Sequence, residues 1–150
     1  MKVVIMAGGK GTRIASVNSD VPKPMIPIDG KPILEYQINA LAAQGYCEII
    51  LIIGHLGHVI RDYFEDGSKW NVQISYIEEN TPLGTAGALF YLKEQIKDDF
   101  LLLNGDIIFD VDIRRFLAYH KAQGTMATIL THPNSHPYDS GIIVADNDGR

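Results

Sequence analysis

The chain has 150 residues, 46% of them hydrophobic and 21% charged, and a formal net charge of −5. That length and mix suit one globular domain with a real core, and the acidic balance argues against a dedicated nucleic-acid binder, which needs a basic stripe for phosphates. Cys47 is the only cysteine, so no internal disulfide can form, and no apolar stretch reaches the ~20 residues of a membrane span. The apolar run at the N-terminus is too short for a signal peptide. These features lead to the expectation of a cytoplasmic protein with neither membrane nor nucleic acid as a partner.

Short β-branched runs alternate with helical patterns, which predicts βαβ units and a doubly wound α/β fold with a mostly parallel sheet. The first strand is expected at 2–6. Ala7-Gly8-Gly9-Lys10-Gly11-Thr12-Arg13 follows it directly. Glycines at 8, 9 and 11 remove side chains that would keep a phosphate from backbone N–H groups. Lys10, Thr12 and Arg13 add donors. A tight strand-to-helix turn is the plainer alternative, but it needs neither three glycines nor an arginine. Next, Val21-Pro22-Lys23-Pro24-Met25 is expected to hold Lys23 in a stiff, extended segment. Standing alone, such a lysine would read as a surface residue.

A helix is expected at 31–44, with Ile33, Leu34, Ile38, Leu41 and Ala42 on one face and Gly45 as its stop. Strands are expected at 48–53 and 72–77, with a helix at 58–65 between them. Glu78 and Glu79 could accept hydrogen bonds from a base or a sugar, or be solvated loop charges. Leu83-Gly84-Thr85-Ala86-Gly87-Ala88 opens a helix expected at 85–95. Its small residues permit close approach to a flat ring, or simply to a neighbouring element.

A buried strand at 100–103 leads into Asn104-Gly105-Asp106. Asp106 thus falls at the carboxyl end of a parallel strand, where ligands bind in open α/β sheets. A hard cation such as Mg²⁺ takes one or two carboxylates there; a turn aspartate is the alternative. Asp110 and Asp112 read as turn and cap residues. A helix at 112–123 ends at Gly124, and a strand follows at 126–131. Residues 141–150 read as a strand entering an Asn-Asp-Gly turn with no returning strand, so the chain is expected to stop within a fold.

Gly8-Gly9-x-Gly11-Thr12-Arg13, Lys23-Pro24, Gly30-Lys31-Pro32-Ile33-Leu34-Glu35-Tyr36, Gly54, Pro82-Leu83-Gly84-Thr85-Ala86-Gly87-Ala88-Leu89 and Leu103-Asn104-Gly105-Asp106 occur in order along the chain. Together they resemble the signature of the sugar-1-phosphate nucleotidylyltransferase family, across essentially all 150 residues. Ile14 departs from the usual leucine, conservatively. The resemblance implies a glycosyltransferase-A-like nucleotide-binding half spanning residues 1–150, before the rest of a sugar-binding half. It implies nucleoside triphosphate and sugar 1-phosphate as substrates, and leaves homo-oligomerisation open.

By the same resemblance, Ala7, Gly8, Gly9, Gly11, Thr12, Arg13, Lys23, Glu79, Gly84 and Thr85 contact nucleotide. Arg13, Lys23 and Asp106 carry the chemistry, Asp106 holds Mg²⁺, and Gly141 lines the sugar side. Several segments look most like the guanylyltransferase branch, whose members make GDP-mannose or GDP-heptose. Silent relatives that act as regulatory subunits leave a second reading, that of a nucleotide-binding piece without turnover.

Other constellations are weaker. Gly9 to Ile14 lacks the third small residue of a dinucleotide fingerprint, and no P-loop pattern occurs. His55-x-x-His58 and His132-x-x-x-His136 lack partners for zinc and read as surface or packing histidines. Ser140 and Cys47 sit in no nucleophile-elbow context. Trp70 and Tyr76 read as core or edge residues.

Overall fold

A computed structural model describes residues 1–9, 21–79, 81 and 87–133. The chain divides into two units, Met1–Ile113 and Arg114–Arg150. The described strands and α-helices, in chain order, are β1 (Val3–Met6), β2 (Pro27–Ile28), β3 (Lys31–Pro32), α1 (Ile33–Ala43), β4 (Glu48–Ile53), α2 (Gly57–Phe64), β5 (Gln73–Glu78), β6 (Leu101–Asn104) and α3 (Ile113–Gln123), while Ala88–Leu92, within the helix expected at 85–95, form a 3₁₀ helix.

Four strands form one parallel sheet in the order β5-β4-β1-β6. The β-branched runs expected at 2–6, 48–53, 72–77 and 100–103 supply them with shifts of a residue. Every step between neighbouring parallel strands needs a crossover, and crossovers are right-handed. From β1 the chain steps through α1 to β4 and through α2 to β5, always in one direction. It then returns through residues 87–96 to β6, on the far side of β1. The reversal puts α1 and α2 on one face and 87–96 on the other. Side-chain alternation agrees: Val4, Ile50 and Ile52 pack against Ala88 and Leu92, with Met6, Ile77, Leu89 and Ile96 around them. The residues of opposite parity, Val3, Ile5, Ile49, Leu51 and Ile53, are also buried, as are Leu34, Ile38 and Leu41 of α1 and Ile60 and Phe64 of α2. Continuous apolarity in β1 and β4 thus reflects cover on both faces. β6 departs from that expectation, because Leu102 is 43% exposed.

Where the sequence suggests a helix from residue 31, Lys31–Pro32 instead pairs antiparallel with Pro27–Ile28. Asp29 and Gly30 turn the chain with φ of 48° and 80°, the positive values that an Asp-Gly hairpin turn demands. Proline at residue 32 then has no N–H to give an earlier turn, and α1 starts at Ile33. The helix stops as expected at Gly45 (φ 83°), where the Tyr46 N–H donates to the Leu41 carbonyl at 3.0 Å. Glu35 is the buried carboxylate of α1; the Tyr63 hydroxyl donates to it at 2.6 Å. That hydrogen bond pushes the Tyr63 pKa up to about 12.

The strand expected at 126–131 does not form. Met126 is fully exposed and Ile129 is 72% exposed. The Thr125 hydroxyl donates to the Ala127 carbonyl at 3.1 Å, and the Thr128 hydroxyl meets His120 Nδ1 at 2.8 Å. Such local bonds compete with a ladder, and β-branched composition cannot make a strand without a paired neighbour. α3 itself fits the expected helix, and Gly124 follows it with φ 59°.

Gly54, directly after β4, packs against Gly8, directly beyond β1: a Cβ built on Gly54 would lie 2.8 Å from the Gly8 carbonyl oxygen. Backbone cannot yield as a flexible side chain does. Gly54→Ala is therefore expected to lower the unfolding free energy by about 1–3 kcal/mol, read from the denaturant midpoint; wild-type stability would mean the two loops separate at no cost.

Candidate active site

The strand order reverses at β1, between β4 and β6. In open parallel sheets the crevice beyond the carboxyl ends at such a point is where ligands bind. Both ladders of β1 run one residue past the strand: Ala7 N–H donates to the Ile52 carbonyl at 2.8 Å, and Gly105 N–H donates to the Met6 carbonyl at 2.9 Å. A Cβ on Gly105 would sit 3.2 Å from Ala7 Cα. Glycine at 105 thus lets the turn that carries Asp106 close onto the start of the glycine loop.

Opposite Gly105, Gly8 lies against Gly54 and Glu79. A Cβ on Gly8 would meet the Gly54 nitrogen at 3.1 Å and Glu79 Oε2 at 3.4 Å. The Glu79 N–H donates to the Ile53 carbonyl at 2.8 Å, so the backbone at 79 continues the β4–β5 ladder. The two adjacent carboxylates diverge, as alternation along a strand requires. Glu79 faces the glycine loop, whereas Glu78 pairs with Arg61 at 3.1 Å on the surface. No described atom lies within 4 Å of a Cβ placed on Gly9.

Lys23 reaches this crevice from a separate segment. It does not stand in extended chain; Lys23–Met25 form one 3₁₀ turn. The Met25 N–H donates to the Pro22 carbonyl at 2.7 Å, and buried Pro24 and Met25 anchor the turn. The expected stiffness is present, but it comes from burial and a turn. The Lys23 ammonium donates to Asp106 Oδ2 at 2.6 Å.

Ala7, Gly8, Lys23, Glu79 and Asp106 are therefore brought together at the carboxyl ends of the strands, from four separate stretches of chain. Gly11, Thr12, Arg13, Gly84, Thr85 and Gly141 lie outside the described residues. The histidines expected at the surface are there: His55, His58 and His132 are exposed, while His136 is outside the described residues. Among the described residues no group of three or more His, Cys, Asp and Glu could hold a metal. Trp70 stacks on Tyr63 with ring centroids 5.7 Å apart, a packing role. No described helix is long and apolar enough to cross a membrane.

One residue beside the site carries no sequence expectation above. Gln37, in the buried stripe of α1, donates to the carbonyls of Asn104 and Ile107 on either side of the Asp106 turn. The available signal was an amide between Leu34, Ile38 and Leu41 at helical spacing.

A parallel sheet whose strand order reverses at β1 is the arrangement of doubly wound α/β proteins, which bind ligands at that switch point. The sequence profile described as nucleotidyl transferase matches residues 2–150, and the chain belongs to that family. It is 35% identical over 164 aligned positions to UTP–glucose-1-phosphate uridylyltransferase of Synechocystis sp., covering 100% of this chain and 42% of that protein. Against D-glycero-alpha-D-manno-heptose 1-phosphate guanylyltransferase of Campylobacter jejuni it is 41% identical, over 77% of this chain and 52% of the relative. The fold is similar to the crystal structure of HddC from Yersinia pseudotuberculosis complexed with GMP-PN, with a TM-score of 0.71 and 39% identity, covering 79% of this chain and 53% of that one. The chain thus spans about half, or less, of the length of these relatives.

Both partners of the Lys23–Asp106 pair are about one-third exposed, at 36% and 32%. Pairs so placed contribute little, about 0–1 kcal/mol. Lys23→Met is expected to lower the urea-unfolding free energy by no more than about 1 kcal/mol; a larger loss would make the pair a structural fastening.

Proposed function

We propose that residues 1–150 form the nucleotide-binding domain of a cytoplasmic sugar-1-phosphate nucleotidylyltransferase. In this reading the substrates are a nucleoside triphosphate, GTP in the first instance, and a mannose- or heptose-type sugar 1-phosphate. The products are the nucleoside diphosphate sugar and pyrophosphate. The observation that carries the reading is the meeting of Lys23 with Asp106 beside Ala7 and Gly8, at the switch point of the sheet. The guanylyltransferase relative supports GTP.

The chemistry needs no protein nucleophile, because a sugar-phosphate oxygen is already anionic. It attacks the α-phosphorus, and pyrophosphate leaves in line. The protein must hold two anions together and neutralise charge. Gly8, Gly9 and Gly11 offer N–H groups without side chains, Thr12 adds a hydroxyl, and Arg13 stabilises the charge that develops on the leaving pyrophosphate. Lys23 contacts the phosphates. Glu79, Gly84 and Thr85 take the base and ribose, and Gly141 borders the sugar.

Asp106 suits Mg²⁺, since its carboxylate is part-exposed at a strand end and already balances one cation, the Lys23 ammonium. When bound, Mg²⁺ supplies charge neutralisation between the two phosphate reactants.

Arg13→Ala is expected to lower turnover on the order of 100-fold or more while GTP affinity changes far less; calorimetry beside a pyrophosphate-release assay separates the two, and equal losses would make Arg13 a binding residue only. Asp106→Asn is expected to raise the Mg²⁺ needed for half-maximal activity by more than about tenfold, the loss typical even of an outer-shell partner. An unshifted metal titration removes Asp106 from the site. GTP binding without pyrophosphate release, across several sugar phosphates, would favour a non-catalytic nucleotide-binding role.

A further inference from the structure

Gln37 is 1% exposed, inside the stripe of α1 that otherwise carries Leu34, Ile38 and Leu41. A buried amide stabilises a fold only when its hydrogen bonds are made. Its Nε2 donates to the Asn104 carbonyl at 2.8 Å and to the Ile107 carbonyl at 2.5 Å. Among the described residues its Oε1 has no hydrogen-bond partner. Leucine or methionine would fill the stripe without that orphan, so helix packing does not account for an amide here.

The two acceptors account for it. Asn104 and Ile107 bracket Gly105 and Asp106. One planar nitrogen with two hydrogens in fixed directions holds both carbonyls at once, and so fixes the span of the turn. Gly105 N–H holds the same turn to Met6. The Asp106 backbone is therefore gripped by β1 and by α1. Farther along α1, Gln44 makes a comparable clip: Nε2 donates to the Val111 carbonyl at 3.1 Å, and Oε1 accepts from the Ile113 N–H at 2.9 Å. Gln44 grips chain well beyond Asp106; Gln37 grips the turn itself.

We infer that Gln37 is a positioning residue: by clamping the carbonyls of residues 104 and 107 it fixes where the Asp106 carboxylate meets its divalent cation. The inference rests on the reading of Asp106 as the metal's carboxylate. Gln37 itself touches neither metal nor substrate.

The test compares Gln37→Met, Gln44→Met and Asp106→Asn in the whole protein. Gln37→Met keeps the volume and deletes the clamp. Amide hydrogen exchange at residues 104–107 is expected to accelerate in Gln37→Met while β1 and β4 keep their protection. Mn²⁺ affinity, read by water-proton relaxation with GTP present, is expected to fall about 10–100-fold. Gln44→Met should leave both readouts at wild-type values, which a merely structural role for these amides would not predict. Should Gln37→Met not fold, Gln37→Glu replaces it; its buried carboxyl takes up a proton and keeps one donor, and a partial loss of both readouts is expected. Unchanged exchange at 104–107, or unchanged Mn²⁺ affinity where Asp106→Asn weakens it, overturns the role of Gln37. If Asp106→Asn leaves Mn²⁺ affinity unaltered, the inference falls with the metal reading, and the exchange data still show separately whether the clamp exists.

Discussion

The placement of β1 in the middle of the sheet governs everything that follows from it. It is a strand of Val3, Val4 and Ile5, with no exposed surface on any of the three. Neighbours pair on both of its edges, and each ladder extends one step past its end through Ala7 and Gly105. Three chain segments must then leave the sheet side by side, from adjacent strands. That crowding is possible only where side chains are missing, which is why Gly8, Gly54 and Gly105 stand at the contact points.

Around these glycines the fold supplies charge from distant parts of the chain. Asp106 comes from the end of β6 and Lys23 from a 3₁₀ turn 83 residues earlier. Each is anchored by what lies beside it: Pro24 and Met25 are buried under Lys23, and the turn of Asp106 is tied to Met6 and to Gln37. The charged ends remain partly wet. A lysine and a carboxylate in such surroundings exchange partners at small cost, because neither is committed to a dry interior. Rigid anchors below labile charges suit the proposed role, in which the site would receive two phosphate groups.

Local chemistry made much of this readable. The runs in β1 and β4 are apolar without alternation because both faces are covered, and that pattern survives translation directly into sequence. Gly45 and Gly124 stop their helices by adopting positive φ, a preference carried by a single residue. Other features were misjudged for equally physical reasons. Asp29-Gly30 is a hairpin turn whose strands hold only two residues each, too short to show alternation. Lys23 was expected in extended chain because its proline neighbours favour it, yet burial of Pro24 and Met25 coils the segment. Residues 126–131 have strand-like composition and no ladder, and local hydroxyl bonds take its place.

What the sequence determined alone was the set of local preferences: which runs form strands, where glycine admits a turn, and which motif residues mark a nucleotidyl transferase. Each depends on neighbours within a few positions, so it is written in the order of residues. The direction of the crossovers, the reversal of strand order at β1, the meeting of Lys23 with Asp106, and the grip of Gln37 on the turn that carries Asp106 were decided only by the tertiary structure. Those are distances between residues far apart in the chain, and only packing against a shared sheet brings them within hydrogen-bonding reach.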